Sequence, residues 1–246
     1  FSYRWSQILE MGRIPADINV LKARRLDEQD ATSPFSPAPI EEVIEAIRDQ
    51  QPDIVFMPHV ETAAGIILPD DYIRQVADAI HQEGGLLVLD CIASGAIWVD
   101  MQDLGVDVLV SAPQKGWSAS PCCAMVMLSR QAREAIDETT STSFACDLKK
   151  WLSIMEAYEG GGHAYHATLP TDGLARLRDV MNEIEAYGLE KVRDEQQALG
   201  DGVRALLEEF GYRSVAAPGF TAPGVVVSYT RDAGIVGKFA EAGLQV

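Results

Sequence analysis

Two residues of opposite charge follow two apolar segments of the chain, and together they could carry out carbonyl chemistry. Asp90 comes directly after the apolar segment 86–89, and Lys115 comes shortly after the apolar segment 106–110. A lysine that loses its proton by desolvation in a cleft can attack a carbonyl carbon. The same two residues could instead form a structural salt bridge or be two surface charges, and their spacing alone does not decide between these interpretations.

Two further polar side chains also lie after, or close after, apolar segments. Thr62 follows the apolar segment 54–57, and Gln114 precedes the lysine. Ligands of open parallel sheets bind at the carboxyl ends of the strands, so we expect these groups to share one cleft with Asp90 and Lys115. A carboxylate that keeps a pyridine nitrogen protonated and a lysine that holds an aldehyde are the two groups that pyridoxal 5'-phosphate (PLP) requires.

The elements that position these residues alternate between helix and strand. Segment 40–48 has apolar residues at helical spacing, and Pro52 ends it before the strand at 54–57. Segment 69–81 repeats this design, with Pro69 at its start and Gly84 at its end, and a strand follows at 86–89. With further strands at 106–110 and 124–128, the pattern predicts an α/β fold whose mostly parallel sheet is covered on both faces.

The second half of the chain is largely helical. Long amphipathic helices are predicted at 172–187 and 189–210, strands near 213–215 and 225–229, and a last helix near 233–242. We therefore expect a large domain at 1–187 and the start of a small α+β C-terminal domain at 188–246. Since the chain begins with Phe1 and ends directly after a predicted helix, we expect an internal piece of a longer polypeptide.

Composition excludes several classes of protein. The 37 acidic and 20 basic residues give a formal charge of −17, which disfavours binding to nucleic acid or to an anionic membrane. The apolar runs are too short for a bilayer span. The four cysteines form no CxxC motif, so we expect free thiols in a reducing, cytoplasmic compartment and no metal site.

Four segments in order along the chain resemble the class V aminotransferases, in particular the serine-pyruvate and alanine-glyoxylate type. The resemblance implies the type I PLP-transferase fold, as in aspartate aminotransferase, and PLP as the cofactor. The segments are His59-Val-Glu-Thr-Ala-Ala-Gly65, Leu87-Val-Leu-Asp-Cys-Ile-Ala-Ser94, Gly105-Val-Asp-Val-Leu-Val-Ser-Ala-Pro-Gln-Lys-Gly116 and Tyr165-His-Ala-Thr168.

The resemblance assigns roles to residues of one subunit. Lys115 would form the internal aldimine and act as acid and base, and Asp90 would pair with the pyridine nitrogen. Ile92 would pack under the ring. Thr62 and Gln114 would bond to the polar edge of the cofactor.

The resemblance also implies a homodimer with shared active sites. Tyr165 and Thr168 would reach the cofactor phosphate of the neighbouring subunit. When Arg4 is aligned with an arginine of the family, Phe1 falls on the aromatic position that stacks on the pyridine ring, where it would keep the apolar contact.

The activity implied is transfer of an amino group from a small amino acid, such as alanine or serine, to glyoxylate or pyruvate. One alternative is a PLP lyase or cysteine desulfurase of the same fold, although these enzymes typically have a histidine where this chain has Gln114, and their nucleophilic cysteine is not matched by Cys146. Another alternative is a non-catalytic fragment, because the family's glycine-rich phosphate turn would precede Phe1 and its substrate-binding arginine would follow Val246.

Overall fold

The structure, a computed structural model, describes residues 3–245. In chain order its helices and strands are α1 (Tyr3–Gly12), β1 (Arg24–Arg25), β2 (Phe35–Ser36), α2 (Ile40–Gln50), β3 (Ile54–Pro58), β4 (Val60–Glu61), β5 (Ile66–Ile67), α3 (Asp70–Gln82), β6 (Leu86–Asp90), α4 (Met101–Leu104), β7 (Val108–Ser111), β8 (Met125–Leu128), α5 (Arg130–Glu138), α6 (Leu148–Glu159), α7 (Thr171–Tyr187), α8 (Leu189–Glu209) and α9 (Ile235–Glu241).

The central sheet has four strands in the order β3-β6-β7-β8. Strands β3, β6 and β7 are parallel, whereas β8 runs antiparallel to β7 at the edge. The register places Pro58 opposite Asp90, and Asp90 opposite Val110. The carboxyl ends of the three parallel strands therefore lie side by side, and the predicted α/β fold with a mostly parallel sheet is confirmed.

Helices α2 and α3 form where the sequence predicted them, to within two residues at each end. Pro39 and Pro69 precede the two helices, and acidic residues occupy both first turns, where they interact favourably with the helix dipole. Ile73, Val76 and Ile80 of α3 are fully buried because they share the face of the helix that packs onto the core. The same core contains Leu87 and Leu89 of β6 and so anchors the strand that ends in Asp90.

The last third of the chain agrees with the prediction in its helices and differs in its strands. Helices α7 and α8 confirm the predicted long helices, with Gly188 between them at φ 106°. The strands predicted near 213–215 and 225–229 are wrong, since the two segments meet only in an isolated bridge between Ser214 and Ser228. Instead the backbone between them bridges to the first half of the chain, at Phe35 and Ile66. The domain boundary at 188 stays a prediction.

Candidate active site

A small, partly open cleft lies at the carboxyl ends of β3 and β6. Both residues whose chemistry was predicted, Asp90 and Lys115, line it together with Thr62. The remaining lining is mostly apolar. The residues that line it are Pro58, Val60, Thr62, Asp90, Ile92, Ala93 and Lys115.

Asp90 is held by its own backbone and by that of its neighbours. It is the last residue of β6, and its carbonyl oxygen accepts the backbone N–H of His59 at 2.9 Å. Its carboxylate oxygen Oδ1 accepts the backbone N–H of Ile92 at 3.0 Å. The position and one oxygen of the carboxylate are therefore fixed before any ligand is bound.

Lys115 lies in a tight loop after β7. The backbone N–H of Ser118 donates to the Lys115 carbonyl at 2.9 Å, with Ser118 in the left-handed region at φ 55°. The next residue, Gly116, touches the turn that follows Asp90, because a Cβ atom at Gly116 would lie 2.1 Å from the carbonyl oxygen of Gly95. This glycine contact brings the lysine loop against the chain segment that carries the carboxylate.

Helix α8 covers the same turn with Gln196, a residue that the sequence reasoning missed. The Gln196 side-chain oxygen Oε1 accepts the backbone N–H of Ala96 at 2.6 Å. Its amide nitrogen would lie 2.3 Å from a Cβ atom at Gly95, so a side chain there would displace the Gln196 amide, and Gly95 also has a left-handed backbone at φ 66°. Nothing in the local sequence signals a contact between residues 100 positions apart.

Trp5 of α1 is the second residue that the sequence reasoning missed. Its indole Nε1 donates to Oδ2 of Asp90 at 3.0 Å, and its ring packs on Phe56 with centroids 4.7 Å apart. The predicted aromatic partner of the cofactor was Phe1, which lies outside the described residues. The sequence did offer a signal for Trp5, since it is an aromatic residue four positions after Phe1.

Three further predicted site residues lie away from the cleft. Gln114 is exposed and is not part of the cleft lining. Tyr165 is 71% exposed, and its hydroxyl lies 3.1 Å from that of the exposed Thr168. The Tyr165 and Thr168 hydroxyls are thus paired with each other on the surface, and the roles expected for all three side chains stay predictions.

Two reactive residue types beside the cleft are made inert by burial. Burial lowers the pKa of His59 to about 4, and its Nδ1 lies 2.7 Å from the Ser94 hydroxyl. Burial also raises the pKa of the Cys91 thiol to about 12. At neutral pH His59 is therefore uncharged and Cys91 is a buried thiol.

The residues that line the cleft fit PLP. The Asp90 carboxylate can accept an N–H from the pyridine ring, the Lys115 amine can bind the aldehyde, and the apolar side chain of Ile92 offers a surface for the ring. Among residues 3–245 no group of three or more histidine, cysteine or acidic side chains could hold a metal ion. In the same range no helix has the length and apolarity that a bilayer span requires.

Comparison with known families gives one match over most of the chain. The model of the family described as Aminotransferase class-V matches residues 25–226. This range contains Thr62, Asp90, Lys115 and Tyr165.

Individual relatives are longer than this chain. An alanine–glyoxylate aminotransferase of Oryctolagus cuniculus is 29% identical over 181 residues, which is 72% of this chain and 45% of the relative. A 2-aminoethylphosphonate–pyruvate transaminase of Paraburkholderia phymatum is 33% identical over 193 residues, which is 76% of this chain and 50% of the relative. The chain thus spans about half the length of these curated relatives.

A solved structure has the same fold over nearly the whole chain. The crystal structure of an alanine–glyoxylate aminotransferase from a Nostoc species superposes with a TM-score of 0.82 at 23% sequence identity. The superposition covers 99% of this chain and 63% of the Nostoc protein. The likeness shows that the helices and strands of this chain are arranged as in the corresponding part of the Nostoc protein.

Proposed function

The chain belongs to the class V aminotransferase family, and on that basis we propose that the whole protein is a PLP-dependent aminotransferase. It transfers an amino group from a small amino acid, such as alanine or serine, to a 2-oxo acid such as glyoxylate or pyruvate. The relatives described above, an alanine–glyoxylate aminotransferase and a 2-aminoethylphosphonate–pyruvate transaminase, support this substrate class. The observation that carries the proposal is that Lys115 and Asp90 line one cleft at the carboxyl ends of the parallel strands.

Four of the residues that line the cleft have distinct tasks in this proposal. PLP, when bound, supplies an electron sink for the bonds of the substrate's α-carbon. Asp90 would accept the pyridine N–H and keep that nitrogen charged, which would strengthen the electron sink. Lys115 would hold the aldehyde and move the proton at the α-carbon, while Ile92 would support the ring and Thr62 would bond to its polar edge.

The experiment is a spectroscopic titration. Purified protein mixed with PLP is expected to show an absorption band near the visible edge, and Lys115→Ala should abolish it. Lys238→Ala is the matched control, because this exposed lysine of α9 pairs with Asp232 at 2.6 Å and lies outside the cleft lining. Reduction with borohydride followed by peptide mapping should find the cofactor on Lys115. A band that survives in Lys115→Ala would refute the proposal.

The described structure gives no support to the desulfurase alternative. Cysteine desulfurases need an accessible, reactive thiol near the substrate, whereas none of the residues that line the cleft is a cysteine. Cys91 is buried, and Cys146 is exposed in the segment before α6. Half-reactions with alanine, serine and cysteine distinguish the classes, because release of sulfur from cysteine without formation of pyridoxamine phosphate would overturn the transaminase assignment.

We also propose a homodimer in the cytoplasm. The exposed hydroxyls of Tyr165 and Thr168 are available to a neighbouring subunit, and aromatic side chains beside them, such as Phe144 at 72% exposure, would be covered by it. The four cysteines are free, which suits a reducing compartment.

A further inference from the structure

We propose that Trp5 is a positioning residue of the candidate cofactor site and that it acts through Asp90. This inference rests on the proposed function, since it concerns how the chain binds PLP. The indole Nε1 donates to Oδ2 of Asp90 at 3.0 Å across a separation of 85 residues. Trp5 brings α1, which lies far from the cleft in sequence, to the carboxylate that would pair with the pyridine nitrogen.

The hydrogen bonds on Asp90 leave room for a ligand. Each oxygen of a carboxylate has two lone-pair sites. Oδ2 uses one for the Trp5 indole and Oδ1 uses one for the backbone N–H of Ile92. Two donors on different oxygens fix the plane of the carboxylate, and one site on each oxygen stays available. Because Asp90 also lines the cleft, a pyridine N–H can be accepted without displacing the indole.

The indole ring of Trp5 also packs against an apolar side chain of the central sheet. Its ring contacts Phe56 at 4.7 Å between centroids with an interplanar angle of 33°. Phe56 lies two residues before Pro58 on β3, so both side chains are on the same face of the sheet, and Pro58 lines the cleft. Trp5 itself is not part of the cleft lining. Of the two described contacts of the Trp5 ring, the hydrogen bond to Asp90 is the one that reaches a residue of the cleft lining directly.

The primary test is Trp5→Phe, which keeps an aromatic ring for Phe56 and removes the indole donor. A hydrogen bond to a charged group is strong enough that its loss should weaken PLP binding about tenfold, measured as the Kd from the visible-edge band. The band itself should still form at saturation, because Lys115 is unchanged. Trp98→Phe is the matched control, since its indole donates to the Leu189 carbonyl at 2.8 Å, and we expect less than a twofold change.

A double-mutant cycle shows whether Trp5 works through the carboxylate. In an Asp90→Ala background, Trp5→Phe should cause no additional loss of PLP affinity. If Trp5 merely supported the fold, Trp5→Phe would lower the PLP affinity by the same factor in both backgrounds. If Asp90→Ala binds too weakly to titrate, Asp90→Glu replaces it, because the longer side chain also moves the carboxylate away from the indole.

Phe56→Leu separates packing from hydrogen bonding and remains informative if Trp5→Phe folds poorly. It removes the ring contact and keeps the donor, so we expect less than a threefold loss of affinity. A loss as large as that of Trp5→Phe, or equal effects of Trp5→Phe in both backgrounds of the cycle, would overturn the inference. If the wild type forms no Lys115-dependent band, it is the proposed function that fails.

Discussion

His59 and Asp90 are neighbours across the sheet, yet burial gives them opposite chemical roles. The backbone N–H of His59 donates to the Asp90 carbonyl at 2.9 Å, while its ring is 2% exposed and contacts Ser94. Asp90 instead opens to the cleft. A buried imidazole whose pKa falls to about 4 cannot take up a proton at neutral pH. His59 therefore stabilises the strand end, and the proposed chemistry involves Asp90 and Lys115 only.

The buried state of His59 predicts a loss of stability in mild acid. Its pKa is about 4 in the folded chain against an ordinary value of 6.5, so the unfolded chain binds the proton more tightly. The contribution of the uncharged His59 to the free energy of unfolding is complete above pH 6.5. It decreases as the pH falls from 6.5 towards 4, by about 3 kcal/mol in total. Chemical denaturation at pH 7 and pH 5 measures it.

His59→Asn is the comparison variant, because it keeps a polar group near Ser94 and removes the titratable ring. Its free energy of unfolding should be lower at pH 7 and should change less between pH 7 and pH 5 than that of the wild type. Equal pH dependence in the two proteins would contradict the prediction.

The contact between the turn after β6 and the loop after β7 positions Lys115. The turn after β6 and the loop after β7 meet at Gly95 and Gly116. A Cβ atom at Gly116 would overlap the backbone carbonyl oxygen of Gly95. Gly116→Ala should therefore separate the loops, lower the free energy of unfolding by about 2 kcal/mol and weaken PLP binding. Denaturation and the titration of the visible-edge band measure the two effects.

Gly202→Ala is the control for that substitution. Gly202 lies within α8, and nothing is within 4 Å of the Cβ that alanine would add. Alanine is the better helix former, so stability should rise by up to about 1 kcal/mol with no change in PLP affinity. If Gly116→Ala behaved in the same way as Gly202→Ala, the two loops would not be held by the glycine contact.

Local patterns predicted the elements of the first half of the chain and missed the contacts between them. Helices α2 and α3 were readable because their prolines, first-turn acids and apolar spacing lie within about a dozen residues. Carboxyl ends of neighbouring parallel strands share one edge, which made the meeting of Asp90 and Lys115 predictable. The contacts of Trp5 and Gln196 join residues 85 and 100 positions apart, and only tertiary packing determines them.

The wrong strands near 213–215 and 225–229 show a related limit. Phe35 donates to the Val215 carbonyl at 2.7 Å, and Val215 donates to that of Val227 at 2.9 Å. The segment thus divides its backbone hydrogen bonds between distant partners and does not build one ladder. An apolar run of β-branched residues indicates an extended chain. Which segments it forms backbone hydrogen bonds with is determined by the tertiary fold and not by the run itself.

At the scale of the whole molecule, the exposed surface beside α6 supports the proposed homodimer. Helix α6 has no buried residue, although Met155 and Tyr158 are large and more than half exposed. The Tyr165 and Thr168 pair lies on the loop that follows this helix. If a second copy covers this surface, each active site takes the lysine from one chain and the phosphate-binding hydroxyls from the other.

Mixing two inactive variants tests that arrangement. Lys115→Ala lacks the amine, and the double variant Tyr165→Phe with Thr168→Val lacks the two hydroxyls, so each homodimer should bind PLP poorly or not react. After equal amounts are unfolded and refolded together, about half the dimers are mixed, and each mixed dimer has one site with both contributions. Recovery of the Lys115-dependent band and of the alanine half-reaction to about a quarter of the wild-type level is expected. Refolding each variant alone is the control, and a mixture no more active than the sum of its parts would show that each site is built from a single chain.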